Sequence, residues 1–261
     1  MPNILNEIVA HKKLEIKEQK NKYPQELLER QICLGDGSFL KTVRQPQPKI
    51  IAEIKPKSPS GGILSADFLL RGILAVYNKH ASAISVLTDT KYFGGSLDLL
   101  KEVAKNSPHP VLCKDFVLDP YQCFAARHAG AQAVLLIVKI LDDRQLEEIY
   151  LTIKQLGMTP AVEIQNESEL ERCLKLEPEV ILINNRNLES FIIQLDTTKK
   201  LVPLIPKTIS IISASGIQSR DDIEELIPYC SNFLIGSVLM RANNIEDQLK
   251  ILLSETVCKP V

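Results

Sequence analysis

Residues 51–64 read IAEIKPKSPSGGIL and set two ionisable groups where an apolar strand should end. Glu53 lies inside the apolar run 50–54, and Lys55 follows that run directly. A charge in such a run is costly to bury unless it is paired or used. Side chains alternate along a strand, so Glu53 and Lys55 share one face and can look into one site. A loop of Pro56, Lys57, Ser58, Pro59, Ser60, Gly61 and Gly62 comes next. The pair is read either as a structural ion pair beside a Pro/Gly turn or as a carboxylate and an ammonium placed for proton transfer.

Further along the chain, other short apolar runs end in chemistry-bearing residues. Val111, Leu112 and Cys113 lead into Lys114, Asp115 and Phe116. LLIVKIL carries Lys139, whose ordinary reading is a surface charge, and AVEI carries Glu163. One run closes on Asn184, Asn185 and Arg186, and the next on Ser213, Ala214, Ser215 and Gly216. The last reaches Gly236 and Ser237. Each is weak alone. If all these ends meet on one rim, cations, carboxylates and an amide converge there, which is the pattern of an acid–base site. The Ser-Gly and Gly-Ser pairs at the last two ends suit a phosphate, because glycine lets backbone N–H groups approach its oxygens and a helix N-terminus attracts negative charge. Tight strand-to-helix turns are the plainer account of each pair taken singly. A small phosphorylated compound is therefore the expected substrate.

The elements that must position these groups can be read from the same pattern. Apolar runs occupy 50–54, 83–87, 111–114, 133–138, 161–164, 180–184, 209–213 and 233–235, spaced by roughly 20 to 33 residues. Most are continuously apolar, as strands buried on both faces should be. Between them, Leu97, Leu100, Val103 and Ala104 form one helical stripe, and Leu146, Ile149, Ile153 and Leu156 another. Asp67, Asp119, Asp142, Glu167 and Asp221 fall near helix starts, where acidic groups meet exposed amides. Strand–helix alternation of this kind predicts a single (β/α)8 TIM barrel over 49–261, with chemistry at the C-terminal ends of its strands. An open doubly wound sheet would usually carry G-x-G-x-x-G after its first strand, and none is present. Residues 1–48 form a helical extension that caps the barrel or borders its mouth. Its apolar face is Ile4, Leu5, Ile8 and Val9, and Lys12, Lys13, Lys17, Lys20 and Lys22 are read as a solvated face.

Composition narrows the partners. With 31 basic and 32 acidic residues the net charge is −1, which advertises neither nucleic acid nor a membrane surface. No apolar run is long enough for a membrane span or a signal peptide. Six cysteines show no C-x-x-C pair and no zinc-like spacing, so a reducing cytoplasm is the expected compartment and Cys113 a buried thiol. Neither a metal site nor a cofactor motif is expected, and a monomer is the expected oligomeric state.

The strand-end motifs together resemble those of indole-3-glycerol phosphate synthase, an enzyme of tryptophan biosynthesis. They are IAEIKPKSPSGG, SVLTDTKYFGGS, CKDF, VLLIVKIL, VEI, INNRNLE, SASGI and FLIGSVLM, and the likeness runs from Ile50 to Leu253. It implies a metal-free, cofactor-free carboxy-lyase acting on 1-(2-carboxyphenylamino)-1-deoxyribulose 5-phosphate. By that resemblance Lys114 is the general acid and Glu163 the general base, while Glu53 and Lys55 assist dehydration. Asn184 would position the sugar hydroxyls, with Arg186 supporting the charge around them. Phe93, Phe116 and Leu135 would wall the aryl pocket. Glu53 and Lys55 would also hold the carboxylate side, Ser58, Ser215, Gly216, Gly236 and Ser237 would hold the carboxylate and the phosphate between them, and Lys55 would reach the phosphate as well.

One position departs from the family. The family reads S-E-S-G-I where this chain has Ser213, Ala214, Ser215, Gly216 and Ile217, so a negative partner of the catalytic cations is missing. An active synthase with a compensating carboxylate, a weakened enzyme and a diverged paralogue all fit that change. Two rival activities remain beside the synthase: a decarboxylative cyclase of another aryl keto acid, of the scytonemin-pathway type, and a barrel that only binds the phosphorylated ligand.

Overall fold

In a computed structural model the chain is described over residues 4–58, 62–63, 70–188 and 190–254. Pro59, Ser60, Gly61, Asp67 and Cys258 lie outside the described residues, as does the side chain of Ser58. Eight parallel strands close into a barrel in which every strand pairs with its sequence neighbours and the last pairs with the first. They are β1 (Lys49–Ile54), β2 (Ala83–Leu87), β3 (Val111–Lys114), β4 (Ala133–Ile137), β5 (Thr159–Ile164), β6 (Val180–Asn184), β7 (Ser210–Ala214) and β8 (Asn232–Ile235). Each expected strand is present, three with the expected bounds and the others with ends shifted by one or two residues. Lys57–Ser58 and Gly62–Ile63 form a small antiparallel hairpin after β1.

Continuous apolarity reflects burial on both faces, and alternation splits the strands between two cores. Ile51, Ala83, Leu112, Ala133, Leu135, Ala161, Val180, Leu182, Ile212, Ala214 and Leu234 fill the barrel interior. Their neighbours Ile50, Ile84, Val111, Val134, Val162, Ile181, Ile211 and Phe233 pack outward against the helical shell. The shell helices bury the expected stripes, with Leu146, Ile149, Ile153 and Leu156 all covered. Side-chain oxygens accept the free amides at their starts. Asp119 with Gln122 and Asp142 with Gln145 form capping boxes, Asn166 caps the helix that begins at Glu167, and Ser219 caps the one that contains Asp221.

The extension contributes at both ends of the barrel. Its helices are α1 (Ile4–Lys22), α2 (Gln25–Glu29) and α3 (Ser38–Val43), and α3 inserts Phe39 and Val43 into the interior core. The Asn232 side chain, at the start of β8, donates to the Val43 carbonyl at 2.9 Å, so α3 closes the N-terminal mouth. The first helix, α1 (Ile4–Lys22), lies across the opposite mouth with Leu5 and Ile8 buried. Lys12 does not belong to a solvated face. It sits in register with Leu5, Ile8 and Ile16 and is buried, whereas Lys13, Lys17, Lys20 and Lys22 are exposed. The helical spacing places Lys12 on the inward side, and three carboxylates compensate its charge there. Among the described residues, no helix is long and apolar enough to cross a membrane.

Candidate active site

A cavity of about 640 Å³ opens at the C-terminal ends of the strands. Thirteen side chains or backbones singled out from the sequence line it: Glu53, Lys55, Phe93, Lys114, Phe116, Leu135, Glu163, Asn184, Arg186, Ser215, Gly216, Gly236 and Ser237. Lys139 is not among the lining residues; it falls in the one-turn helix Val138–Ile140 that follows β4. Arg186 and Arg241 are lining cations instead.

Lys114 is the centre of the polar arrangement. Strand β3 stands two strands from β1 on one side and two from β5 on the other. Closure therefore sets the Lys114 Nζ 4.0 Å from Glu53 Oε2 and 4.0 Å from Glu163 Oε2. Lys55 Nζ lies 2.5 Å from Glu53 Oε1. Burial pushes the Glu53 carboxyl up, but the ammonium groups of Lys55 and Lys114, with a smaller pull from Arg186, outweigh it and hold Glu53 below the usual glutamate value. Burial likewise lowers the Arg186 guanidinium, against the attraction of Glu53.

Glu163 is held from one side only. The Asn184 amide donates to Glu163 Oε1 at 3.0 Å, while Glu163 Oε2 is buried with no hydrogen-bond partner among the described residues. Asn184 is oriented in turn, its Oδ1 accepting from the Arg186 backbone at 3.0 Å. A carboxylate oxygen with spare accepting capacity therefore faces an ammonium donor across a shielded cavity, which is the geometry general acid–base transfer needs.

The loops after β7 and β8 form the opposite wall. Ser215 and Gly216 both have positive φ, at 68° and 87°. A Cβ on Gly216 would fall 2.4 Å from Ile193 Cγ2, so only glycine fits there. The turn is held by a buried network in which the Asn185 amide donates to Ser213 Oγ at 3.0 Å and to the Ser215 carbonyl at 3.1 Å. Thr198 completes it, donating to Asn185 Oδ1 at 2.8 Å. Gly236 has a reason the sequence did not reveal: a Cβ there would sit 2.2 Å from Glu53 Oε1. It makes room for the carboxylate on the neighbouring strand, and Ser237 then opens the short helix Ser237–Met240.

The apolar side carries Phe93 and Phe116, whose ring centroids are 5.9 Å apart, with Leu135 beneath and Ile4, Leu5 and Ile8 of α1 alongside. Phe191 and Arg241 also line the cavity and were missed. Phe191 sits at φ 58° in the loop after β6, where no periodicity marks a residue. Arg241 directly follows the FLIGSVLM motif, one helical turn beyond Ser237, so its position was open to inference. Ala214 lines the cavity and is buried, in register with Asn184 and Leu234. Among the described residues, no group of three or more histidine, cysteine, aspartate or glutamate side chains is placed to hold a metal ion.

Comparisons with known proteins give the lineage of this arrangement. A sequence model described as indole-3-glycerol phosphate synthase matches residues 5–252. The chain is 42% identical over 262 aligned residues to the tryptophan biosynthesis protein TrpCF of Buchnera aphidicola subsp. Baizongia pistaciae, covering 100% of this chain and 54% of that protein. It is 41% identical to the TrpCF protein of Helicobacter pylori strain 26695, covering 99% of this chain and 57% of that one. The chain thus spans about half the length of these curated relatives. Among solved structures, a crystal structure of KGPDC from Streptococcus mutans superposes with a TM-score of 0.62 at 11% identity, covering 80% of this chain and 97% of that one. A native KDPGal structure gives 0.58 at 17% identity, covering 78% and 92%. At those identities the likeness is one of fold.

Proposed function

Because the chain belongs to the indole-3-glycerol phosphate synthase family, we propose that it converts 1-(2-carboxyphenylamino)-1-deoxyribulose 5-phosphate into indole-3-glycerol phosphate, carbon dioxide and water. The observation that carries this reading is the Lys114 ammonium 4.0 Å from two carboxylates that belong to strands on opposite sides of the barrel.

The aryl group lies against Phe93, Phe116 and Leu135, and the phosphate occupies the other wall at Ser215, Gly216, Gly236 and Ser237. Holding both ends folds the open-chain sugar so that its carbonyl meets the ring carbon that bears the carboxylate. That carbon attacks the carbonyl carbon while Lys114 protonates the carbonyl oxygen. The carboxylate leaves as carbon dioxide, and its bonding pair restores the aromatic ring. Lys55, held by Glu53, protonates the departing hydroxyl, and Glu163 takes the proton from the carbon that becomes C2 of the indole. Two protons are given and one is recovered, which matches the single proton consumed when a carboxylate is released as carbon dioxide. Asn184 orients Glu163 and the sugar hydroxyls, and Lys55 and Arg186 offset the phosphate charge. Ser58 is assigned to the carboxylate end.

The barrel of 49–261 is the catalytic unit in this reading, with 1–48 completing its mouth. We also read the enzyme as a cytoplasmic monomer. The free thiols at Cys33, Cys113, Cys123, Cys173 and Cys230 suit a reducing compartment, and light scattering at assay concentration checks the mass.

The test is to mix the purified chain with the carboxyphenylamino-deoxyribulose phosphate and follow the fluorescence of the indole product, beside Lys114→Ala and Ala214→Glu. Turnover is expected in the unaltered chain and a loss of about 10²- to 10⁴-fold in kcat for Lys114→Ala. Turnover confined to Ala214→Glu would show that the seventh-strand carboxylate is required. Binding without turnover in both would leave a ligand-binding barrel and overturn the reading.

A further inference from the structure

Helix α1 carries five lysines between positions 12 and 22, and among them Lys12 alone is buried, with 1% of its surface exposed. Its Nζ lies 2.9 Å from Glu15 Oε2, 3.0 Å from Asp89 Oδ2 and 2.9 Å from Asp115 Oδ1. One ammonium thus holds together the extension, the loop after β2 and the loop after β3. Burial works against the charged form, but Asp115, Asp89 and Glu15 outweigh it and raise Lys12 above the usual lysine value.

Both distant carboxylates also organise the backbone beside them. Asp89 Oδ1 accepts from the Tyr92 and Phe93 amides at 2.7 and 3.3 Å, which starts the short helix Thr90–Phe93 and aims Phe93. Asp115 Oδ1 accepts from the Phe116 amide at 2.7 Å, and Asp115 Oδ2 accepts from Thr88 Oγ1 at 2.6 Å. Asp115 is also the residue next to Lys114. The two rings that form the apolar wall, Phe93 and Phe116, are therefore each set by a carboxylate that Lys12 holds. The same face of α1 delivers Ile8 and Leu5 to that wall one and two turns earlier.

We propose that Lys12 is a positioning residue that sets the aryl side of the cavity. It governs how tightly the carboxyphenyl end of the substrate is held and has no part in the phosphate wall on β7 and β8. This rests on the synthase reading and names a residue through which the extension acts on that site. Without the ammonium, Asp89 and Asp115 repel each other, the two loops part, and α1 loses its tether.

The experiment compares the full chain with Lys12→Met and with the triple variant Lys12→Met, Asp89→Asn, Asp115→Asn. The asparagine oxygens can keep the backbone caps while removing the uncompensated charge, so the triple variant remains testable if the single one misfolds. KM for the substrate is expected to rise roughly tenfold or more in both variants, with kcat changing far less. The inhibition constant of inorganic phosphate should stay at its wild-type value, and amide exchange at Phe93 and Phe116 should speed up. A triple variant with wild-type KM, or a loss of phosphate inhibition in parallel with the rise in KM, would overturn the proposal. The first would show that Lys12 only offsets its own carboxylates, and the second that the whole site collapses. A wild-type chain that neither turns the substrate over nor responds to phosphate removes the synthase reading and this inference with it.

Discussion

Glu53 is the residue on which the charges of the cavity balance, because Lys55, Lys114 and Arg186 all act on one buried carboxylate. Its folded-state value lies below the ordinary glutamate value of 4.5, so its stabilising contribution is complete above that pH and is lost as pH falls through the depressed value. Glu53→Gln is therefore expected to destabilise the chain by about 3 kcal/mol at pH 7, since it leaves neighbouring cations without their anion. Urea unfolding at a series of pH values checks this: the gap between the two proteins should persist from pH 7 to about 5 and close only in stronger acid. A gap that already closes near neutrality would mean the carboxyl is not held by those cations. Glu53 and Lys55 were conspicuous in the sequence because a charge inside an apolar run is costly. Lys12 was not, because a lysine among lysines on a helix resembles a solvated face until its distant partners Asp89 and Asp115 are known.

At the level of elements, the site depends on strands that approach closely at their C-terminal ends. Gly236 directly follows β8, beside β1, where a Cβ would collide with the Glu53 carboxylate. Gly236→Ala is expected to cost about 1–3 kcal/mol through overpacking. It should also lower kcat/KM by displacing Glu53 from Lys55 and Lys114, read by denaturant unfolding and steady-state kinetics on the same sample. From the sequence, Gly236 and Ser237 suggested a phosphate loop, and the residue types supported that. They were silent on the second demand, because the neighbour that forbids a side chain lies on a strand far away in the chain. Strand positions were legible throughout, since continuous apolar runs of four to six residues mark strands covered on both sides. Ends shifted slightly where hydrogen bonding, not hydrophobicity, decides the last paired residue, as when Ala214 joins β7 through its pairing with Asn184 and Leu234.

For the whole molecule, the closed barrel makes two nested cores and shields four of the five described thiols from water. Cys113, Cys123, Cys173 and Cys230 are buried and Cys33 is exposed. Burial pushes the Cys113, Cys173 and Cys230 thiols up to about 12 and raises Cys123 as well. Only thiolates react readily, so in the native protein at pH 8 iodoacetamide should modify Cys33 and spare these four. Mass spectrometry before and after denaturation reads the difference, and labelling of Cys113 in the native state would show that the shell opens on the labelling timescale. Thiol protection across β3 and the outer helices thus reports on closure of the barrel as a unit.

The sequence alone determined that eight strands alternate with helices and that the chemistry-bearing residues fall at their ends. Those are local properties: a run of apolar side chains, a charge within it, a glycine after it. The tertiary structure decided which of those groups meet. Only closure brings Glu53 of β1 and Glu163 of β5 to equal distance from Lys114 of β3, and only the path of α1 across the mouth buries Lys12 between Asp89 and Asp115. Electrostatic pairing depends on distance in space, and a one-dimensional pattern records separation along the chain alone.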